Sequence, residues 1–470
     1  MPDITLIEQL RRVLPAERVH TTPEDLAVYS YDGTWELGHP QAVVSPLTTE
    51  EVQEVVRLAH RMGLPVVPRG GGTGLAGGSV PTAGGIVLNT TLMNRIMAID
   101  RLNMVAVVQP GVITAHLQAE VEKVGLFYPP DPQSLRQSTI GGNVATSAGG
   151  PRCLKYGTTR DYVLGLQVVL ADGRAMRTGG KMLKVQTGYN LTGLFVGSEG
   201  TLGIITEVTL RLIPMPRYRG TVMAAFQRLD DAAETVNRIL QAGITPLALE
   251  MMDNACIRAV QAFRPFGLPL DAETVLLIDQ DGNDSRALQA ELDEIARLVR
   301  DGGAVQVRQA NTREESQELW AARRAVSPAL ARLRPNKLGE DISVPRACIP
   351  DMVRRVTEIA ARNHLLIPLF GHIGDGNLHP NILCDLRDRE EMERVQTAAR
   401  EIFEAAIALG GALSGEHGIG TLKRQFLQQG LDHTAIEVMR RIKWALDPEN
   451  VLNPGKIFPL PPTSDDESRT

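Results

Sequence analysis

Two histidines flank a predicted hairpin turn in the motif LFGHIGDGNLHPNIL, residues 369–383. Asp375-Gly376 is a strong signal for a two-residue turn between antiparallel strands. A hairpin centred on that pair places His372 directly opposite His379, on one face, with Cβ atoms about 4.5–5.5 Å apart. Two imidazoles at that separation could bind one metal ion, and Asn381, two residues further on, points to the same face. The alternative is a pair of ordinary strand histidines.

An adjacent acid and imidazole, Glu416 and His417, stand in the motif LSGEHGIG, residues 413–420. Glycines on both sides permit an irregular backbone on which the two side chains can converge. Glu416 could complete a set of two histidines and one carboxylate, which leaves coordination positions open for a substrate. His417 could then act as a general base, because imidazole titrates near neutral pH. The alternative is a solvated loop.

A possible anion grip follows Trp320. Arg323 and Ser327 are spaced i, i+4, so a helix would place them on one face. An arginine guanidinium is suited to a two-pronged bond with a carboxylate. Taken alone, this stretch is more typical of an exposed helix.

The glycine-rich run PRGGGTGLAGGS, residues 68–79, follows a predicted strand and indicates a phosphate-binding loop. Its glycines allow close backbone approach, and successive amides can form a nest for a pyrophosphate, to which Arg69 could add charge. No Lys-Ser/Thr pair and no helix follow directly, and Asn89 stands where a dinucleotide loop has an acid. The pattern therefore excludes the Walker and Rossmann loops. A flexible surface loop is the alternative.

Two further glycine-rich segments, residues 128–156 and 188–207, complete the signal in the first half of the chain. The former has little charge or periodicity, and a loop of that length is commonly functional. We therefore expect a ligand to pack against it.

These three segments, in this order, resemble the FAD-binding domain of the vanillyl-alcohol-oxidase and p-cresol-methylhydroxylase flavoproteins over residues 38–215. The resemblance implies FAD between two α+β subdomains. Members that bond FAD covalently through the first loop have a histidine where this chain has Thr73, so we expect non-covalent FAD. The FAD-binding residues implied are Pro68, Arg69, Gly70, Gly71, Gly72, Thr73, Gly74, Gly78, Ser79, Pro132, Thr139, Ile140, Gly141, Gly142, Ala145, Gly200, Gly203, Ile205 and Asn453.

The motifs GHIGDGNLH, SGEHGIG and DPENVLNPGKIF resemble the C-terminal domain of FAD-linked D-2-hydroxy acid dehydrogenases. That family includes the glycolate oxidase D subunit, D-lactate dehydrogenases and D-2-hydroxyglutarate dehydrogenase. The resemblance implies a divalent metal, zinc first, with manganese and iron as alternatives. The implied roles are metal binding by His372, His379 and Glu416, catalysis by His417 and Arg323, and substrate binding by Arg323 and Lys337. From their spacing to Arg323 and His379, we also expect Ser327 and Asn381 to bind the substrate.

Composition sets the frame for these motifs. A chain of 470 residues predicts two or three domains, and 43% hydrophobic residues exclude a largely disordered protein. A net charge of −6 argues against nucleic-acid binding. The four cysteines have no CxxC spacing, and no 18-residue apolar run predicts a membrane span. Without a recognisable signal peptide, we expect a cytoplasmic protein, with attachment to the inner face of the membrane through a partner left open.

The elements predict an α+β protein with distinct regions. We expect an N-terminal helical segment at 1–37 and a two-subdomain FAD-binding domain at 38–215. An α+β cap domain with a ferredoxin-like antiparallel sheet follows at 216–458, where strands alternate with helices. The acidic, proline-rich tail at 459–470 predicts disorder.

The sequence therefore predicts an FAD-dependent dehydrogenase or oxidase that converts a small D-2-hydroxy acid, glycolate or D-lactate, into the 2-oxo acid. Electrons would pass to a separate acceptor: an iron–sulfur subunit, electron-transferring flavoprotein, quinone or oxygen. Alternatives are an FAD-binding subunit acting mainly within a larger glycolate oxidase complex, and a D-2-hydroxyglutarate dehydrogenase. A carbohydrate or alcohol oxidase on the same scaffold is disfavoured by the metal motif. A homodimer and a hetero-oligomer both stay open.

Overall fold

A computed structural model describes residues 4–310 and 312–460 of the chain. The described residues form two compact units. The first holds 4–148, 158–215 and 416–460, and the second holds 149–157 and 216–415. Residues 416–458, predicted as the end of the cap domain, thus pack with the first unit. Most of the tail predicted to be disordered, from residue 461 onward, lies outside the described residues.

Three sheets form the strand framework of the first unit within the described ranges. The first has the order β1-β2-β4-β3, with β1 antiparallel to β2 and parallel pairing elsewhere. The second, β5-β6-β10-β8-β9, is antiparallel, and β7 pairs with β11. These strands are β1 (Val19–His20), β2 (Ala42–Val44), β3 (Val66–Arg69), β4 (Ile86–Asn89), β5 (Ile96–Asp100), β6 (Val105–Val108), β7 (Leu126–Phe127), β8 (Val163–Val169), β9 (Ala175–Gly179), β10 (Ile204–Arg211) and β11 (Ile213–Pro214).

The second unit contains one antiparallel sheet in the order β15-β12-β14-β13-β18-β19-β16, with β17 also paired to β19. Its first four strands have the ferredoxin-like order, in which the fourth, first, third and second strands lie side by side. The strands are β12 (Tyr218–Phe226), β13 (Ala248–Asp253), β14 (Thr274–Gly282), β15 (Gln306–Gln309), β16 (Asn336–Gly339), β17 (Ile342–Ser343), β18 (Leu369–His372) and β19 (Asn377–Cys384).

Helices join and cover these strands. The α-helices are α1 (Ile4–Val13), α2 (Pro23–Val28), α3 (Thr49–Met62), α4 (Thr114–Glu122), α5 (Ile140–Thr146), α6 (Cys153–Tyr156), α7 (Leu191–Phe195), α8 (Leu229–Gln241), α9 (Asn254–Phe263), α10 (Ser285–Asp301), α11 (Arg313–Arg324), α12 (Val326–Leu330), α13 (Ile349–Arg362), α14 (Arg389–Ala408), α15 (Leu427–Gly430) and α16 (His433–Leu446). Among the residues described, no helix is both long enough and apolar enough to cross a bilayer.

Local sequence signals explain the helix α3 well. The Thr48 side chain accepts the Glu51 amide at the start, and Gly63 ends the helix with a φ of +61°.

One prediction for the first half of the chain was wrong: residues 128–156 do not form one long loop. Thr139 caps α5 by accepting the Gly142 amide at 3.3 Å, and α6 follows.

A buried ion pair holds the C-terminal segment of the first unit. Lys443 donates to the carbonyls of Thr201 and Leu452, both at 2.9 Å, and pairs with Asp447. Asp447 in turn accepts the amides of Val451 (2.9 Å) and Leu452 (2.8 Å). Burial lowers the pKa of Lys443 below its usual range. Because every one of these groups is buried, removing one leaves several without a partner.

We expect Lys443→Met to destabilise the first unit by about 3–5 kcal/mol, since it leaves a buried carboxylate without its cation. The matched control is Arg441→Met on the same helix, because the pair of Arg441 with Glu437 is largely exposed. That change should stay within about 0.5 kcal/mol. Urea unfolding of both variants measures the difference, and equally small effects would contradict the role of Lys443.

Candidate functional site

Glycines bring two of the three predicted FAD-binding segments together in the first unit. A Cβ at Gly70 would lie 2.2 Å from Thr139 Oγ1, and one at Gly71 would lie 2.4 Å from the Gln137 carbonyl. A larger residue at either position would force its neighbour to shift: the Thr139 side chain for Gly70 and the backbone of Gln137 for Gly71. The loop after β3 therefore lies directly against the start of α5.

The third segment joins the same place through backbone contacts. Gly200 has a φ of +72°, and a Cβ there would lie 2.4 Å from the Pro68 ring. The Glu199 amide donates to the Ala145 carbonyl at 2.8 Å. Asn453 Nδ2 donates to the carbonyls of Gly78 (2.9 Å) and Glu199 (2.7 Å). Four stretches distant in sequence thus meet in one region.

This region has features of a ligand-binding site. Ser79 Oγ and Asn453 Oδ1 are buried, and neither has a hydrogen-bond partner among the described residues. A Cβ at Gly74, Gly78 or Gly142 would meet one heavy atom within 4 Å, at 3.3–3.7 Å. These three glycines therefore border open space. A ligand with both donors and acceptors would satisfy the two buried polar atoms.

The remaining predicted FAD residues divide between this region and the packing behind it. Arg69 is buried at the end of β3, donates to the Tyr31 carbonyl, and lies 5.6 Å from the Tyr29 ring. A Cβ at Gly72 would lie 2.2 Å from its guanidinium. The others lie as follows: Thr73 in the same loop, Pro132 buried in the loop before α5, Ile140 and Gly141 at the start of α5, and Gly203 and Ile205 against β8.

The hairpin that carries His372 and His379 has a longer turn than the sequence predicts. His372 lies opposite Asn377, so four residues, 373–376, form the turn. A two-residue type I′ turn needs positive φ at both central residues, and of the predicted pair only Gly376 has it (φ +90°). The direct pairing of the two histidines was therefore wrong.

The shift in register is two residues, and this leaves both histidines on one face of the sheet. Their ring centroids lie 5.2 Å apart, and a ring nitrogen of one lies within 4.8 Å of a ring nitrogen of the other. Asn381, on the same strand as His379, donates to the His379 carbonyl at 2.7 Å. The structure thus brings the two predicted metal ligands of the second unit together.

Glu250 lies between His372 and Arg323. It stands in β13, where the pairing of Met251 with Gly371 places it opposite His372. Its Oε1 is hydrogen-bonded to His372 Nδ1. Its Oε2 accepts from Arg323 Nε at 2.9 Å and lies 2.7 Å from Arg323 Nη2 in an ion pair. Burial acts to raise the pKa of Glu250, but the contacts with His372 and Arg323 outweigh it and lower the pKa below its usual range.

A second buried carboxylate, Asp341, holds the end of the second unit. Its Oδ1 accepts from Asn377 Nδ2 at 2.6 Å and lies 3.8 Å from His379 Nδ1. Its Oδ2 accepts from Ser414 Oγ (2.6 Å) and the Gly415 amide (2.9 Å). Gly415 is bonded directly to Glu416, so Asp341 fixes the backbone from which Glu416 continues.

Arg323 and Ser327 do not share one helix, contrary to the prediction. Pro328 has no amide to bond the carbonyl four residues before it, and the helix is interrupted between Arg324 and Val326. Ser327 instead accepts from Lys337 Nζ at 2.8 Å, and burial lowers the pKa of Lys337. Arg323 is also buried rather than exposed, with its guanidinium carbon 4.6 Å from the Phe370 ring centroid.

Glu416 and His417 begin the last segment of the first unit. His417 Nε2 lies 4.0 Å from Glu416 Oε1, and both side chains are mostly buried. The backbone after them is held by Glu199, whose two carboxylate oxygens accept the amides of Ile419 (2.7 Å) and Gly420 (2.8 Å). Burial raises the pKa of Glu199 above its usual range. A residue of the third glycine-rich segment thus positions the chain just beyond His417.

Two family models match this chain. A family model described as FAD linked oxidases, C-terminal domain, matches residues 215–457, and one described as FAD binding domain matches residues 40–179. The former alone spans more than half of the chain. The chain belongs to the FAD-linked oxidases.

Relatives of this FAD-linked oxidase match along almost its whole length. The glycolate oxidase subunit GlcD of Bacillus subtilis (strain 168) is 47% identical, over 96% of this chain and 96% of that protein. The subunit of the same name from Escherichia coli (strain K12) is 36% identical, over 98% and 92%. A D-lactate dehydrogenase of Anaerostipes hadrus is 35% identical, over 95% and 94%.

Solved structures confirm the predicted fold type. p-Cresol methylhydroxylase with substrate bound has a TM-score of 0.82 at 18% identity, over 97% of this chain and 96% of that chain. 4-Ethylphenol oxidase from Gulosibacter chungangensis has a TM-score of 0.79 at 22% identity, over 97% of each chain. At such low identity these matches establish the fold alone.

Sequence reasoning missed the two buried acids of this FAD-linked oxidase. Glu250 lies within the apolar, strand-like segment PLALEMM, and Asp341 directly precedes the strand-like segment ISVP. A charge inside an apolar strand must find a partner in the folded protein, and that was the available signal. The identity of the partner, far away in sequence, was not encoded locally.

Asp253 links the start of α9 to the strand of His372. Its Oδ1 accepts the Cys256 amide at 2.8 Å, and its Oδ2 accepts the amide of Leu369, the first residue of β18, at 2.7 Å. Burial raises the pKa of Asp253 from 3.8 to about 6. The Asp253 carboxyl group therefore binds its proton more tightly in the folded protein than in the unfolded chain.

The contribution of Asp253 to stability should be fully present below about pH 3.8 and lost as the pH rises through about 6. Asp253→Asn removes this titration. In urea unfolding across that pH window, we expect the midpoint of the wild type to fall relative to the midpoint of the variant. A difference between the two proteins that does not change with pH would contradict the raised pKa.

Proposed function

We propose that this FAD-linked oxidase is a dehydrogenase or oxidase that converts a small D-2-hydroxy acid, glycolate or D-lactate first, into the 2-oxo acid. The observation that carries the proposal is the buried cluster of His372, His379, Arg323 and Glu250. It places two imidazoles that could bind a metal near a guanidinium that could bind an anion. Relatives named glycolate oxidase subunit and D-lactate dehydrogenase, at 47% and 35% identity, support it.

FAD would bind in the first unit, at the region where the predicted segments meet. The buried polar atoms of Ser79 and Asn453 and the open faces of Gly74, Gly78 and Gly142 fit a ligand of that kind. When bound, FAD supplies the acceptor for the hydrogen and electron pair of substrate C2. Thr73 has no imidazole to attach the flavin, so we propose non-covalent binding.

His372, His379 and Glu416 would hold a divalent metal, zinc first, with manganese and iron as alternatives. The donors fit, because the carboxylate of Glu250 accepts at His372 Nδ1 and so leaves Nε2 as the ligand atom. Asp341 holds Gly415, the residue before Glu416. A divalent metal would act as a Lewis acid on the substrate hydroxyl oxygen and so lower the pKa of that hydroxyl group.

The protein's own side chains would carry the rest of the chemistry. Arg323 would bind the substrate carboxylate with the N–H groups that Glu250 does not use, since a guanidinium has five. Ser327, Lys337 and Asn381 would bind further polar atoms of the substrate. His417 would accept the hydroxyl proton as general base, so that the C–O bond can become a carbonyl.

The electrons would leave to a separate acceptor: an iron–sulfur subunit, electron-transferring flavoprotein, quinone or oxygen. A role as the FAD-binding subunit of a larger glycolate oxidase complex is the second candidate, favoured by the word subunit in two relatives' names. D-2-hydroxyglutarate is the alternative substrate. The homodimer, the hetero-oligomer and the cytoplasmic location stay predictions.

Dye-linked turnover by the purified lone chain tests the proposed function. We expect reduction of an artificial acceptor with glycolate or D-lactate, and much less with L-lactate. Formation of the 2-oxo acid should match the dye reduced. A chain that retains FAD but turns over no 2-hydroxy acid would contradict an independent catalytic role and favour the subunit alternative.

His372→Ala and His379→Ala should each remove the metal while FAD stays bound, because the two histidines lie in the second unit and the FAD segments in the first. Metal content by mass spectrometry and flavin content by absorbance measure the two losses separately. His433→Ala, at an exposed histidine, is the control and should keep both. About one metal per chain in both site variants would disprove the assignment.

His417→Ala should keep FAD and metal yet slow flavin reduction by about 10²–10⁴-fold, the usual contribution of a general base. Glu416→Ala should lose metal and activity together. Anaerobic rapid mixing measures flavin reduction, and metal analysis separates the roles. If His417→Ala empties the metal site and Glu416→Ala leaves it full, the two roles are exchanged.

A further inference from the structure

We propose that Glu250 is a positioning residue that sets the metal ligand His372 and the substrate-binding Arg323 at the same time. The proposal rests on the proposed function, because it takes His372 and Arg323 in the roles given above. The consequence is that loss of this one carboxylate weakens metal binding and substrate binding together, although Glu250 itself would contact neither the metal nor the substrate.

The first half of the inference concerns His372. Glu250 Oε1 is bonded to Nδ1, and a carboxylate can only accept, so the Nδ1 position carries the proton. The lone pair of the ring is thereby kept at Nε2, where a metal ligand needs it. Carboxylate partners of this kind orient metal-binding histidines and raise their basicity.

The second half concerns Arg323. Glu250 Oε2 occupies one edge of the guanidinium, through Nε at 2.9 Å and Nη2 at 2.7 Å. The Phe370 ring lies 4.6 Å from the guanidinium carbon, and the same ring lies 5.4 Å from the His379 ring. These contacts fix both the plane and the direction of the group. A carboxylate that binds the remaining edge therefore meets an arginine that is already oriented.

A neighbouring buried acid provides a matched control. Asp279 stands in β14, the strand next to β13, and is fully buried. Like Glu250 it pairs with an arginine, Arg219, and it also accepts from Trp320 Nε1 at 2.8 Å. Its side-chain partners among the described residues are Arg219, Thr221 and Trp320, and none of these is a histidine. Loss of its charge should therefore disturb the sheet to a similar degree without reaching the proposed metal site.

The test compares Glu250→Gln with Asp279→Asn in the full-length, FAD-loaded protein. Zinc affinity is measured by competition with a chromophoric chelator, in the absence of substrate. We expect Glu250→Gln to weaken zinc binding by about 10–100-fold, the usual effect of losing such a partner, and to raise the KM for the hydroxy acid. Asp279→Asn should change neither value. Equal zinc affinity in wild type and Glu250→Gln would overturn the proposal.

A second comparison separates positioning from simple charge balance. If Glu250 only neutralises Arg323, then Glu250→Gln should not change zinc affinity in an Arg323→Met background. We expect the weakening to persist there, because His372 still loses its negatively charged acceptor and keeps at most a neutral amide oxygen. Should Glu250→Gln not fold, Glu250→Asp replaces it; the shorter carboxylate should weaken zinc binding less than the loss of His372 does.

Failure of this proposal and failure of the proposed function give different results. A wild-type protein that binds no zinc overturns the role of Glu250. A wild-type protein that binds zinc but oxidises no hydroxy acid contradicts the proposed function, while the zinc comparison still decides the role of Glu250. Retained flavin and an unchanged circular dichroism spectrum confirm in each variant that the fold persists.

Discussion

A carboxylate buried in the middle of a sheet keeps its charge only where donors surround it, and Glu250 meets this condition with His372 and Arg323. The three side chains come from β13, β18 and α11. Their mutual bonds require those elements to hold one arrangement, because any displacement would leave a buried charge without its partner. The same bonds orient the imidazole and the guanidinium that the proposed chemistry uses.

The first unit depends on a different constraint, which is close approach of backbones. Gly70 lies against Thr139 and Gly200 lies against Pro68 at distances that no larger residue allows. These contacts bring segments far apart in sequence to one place. They leave Ser79 Oγ and Asn453 Oδ1 buried with no hydrogen-bond partner in the described part of the chain. Glycine at these positions leaves room for a ligand and also allows the backbone segments to approach each other closely.

Much of this was predictable, and the exceptions have physical causes. The motifs around His372 and Glu416, the ferredoxin-like sheet and the flavin-domain fold follow from local patterns and a family resemblance. The hairpin register does not, because Asp375 and Gly376 fit a turn of two residues or of four. Glu250 lies 122 residues from His372, and only its charge within an apolar strand indicated that it needs a partner. Pro328 interrupted a helix that periodicity alone would continue.

The most direct test of the account is single-turnover reduction of the bound flavin in the wild-type protein under anaerobic conditions. Glycolate or D-lactate should bleach the oxidised flavin in one concentration-dependent phase, and deuterium at C2 should slow that phase because the C2–H bond breaks in it. L-Lactate should bleach it far more slowly. A flavin that is reduced by sugars or simple alcohols, but by no 2-hydroxy acid, would contradict the account.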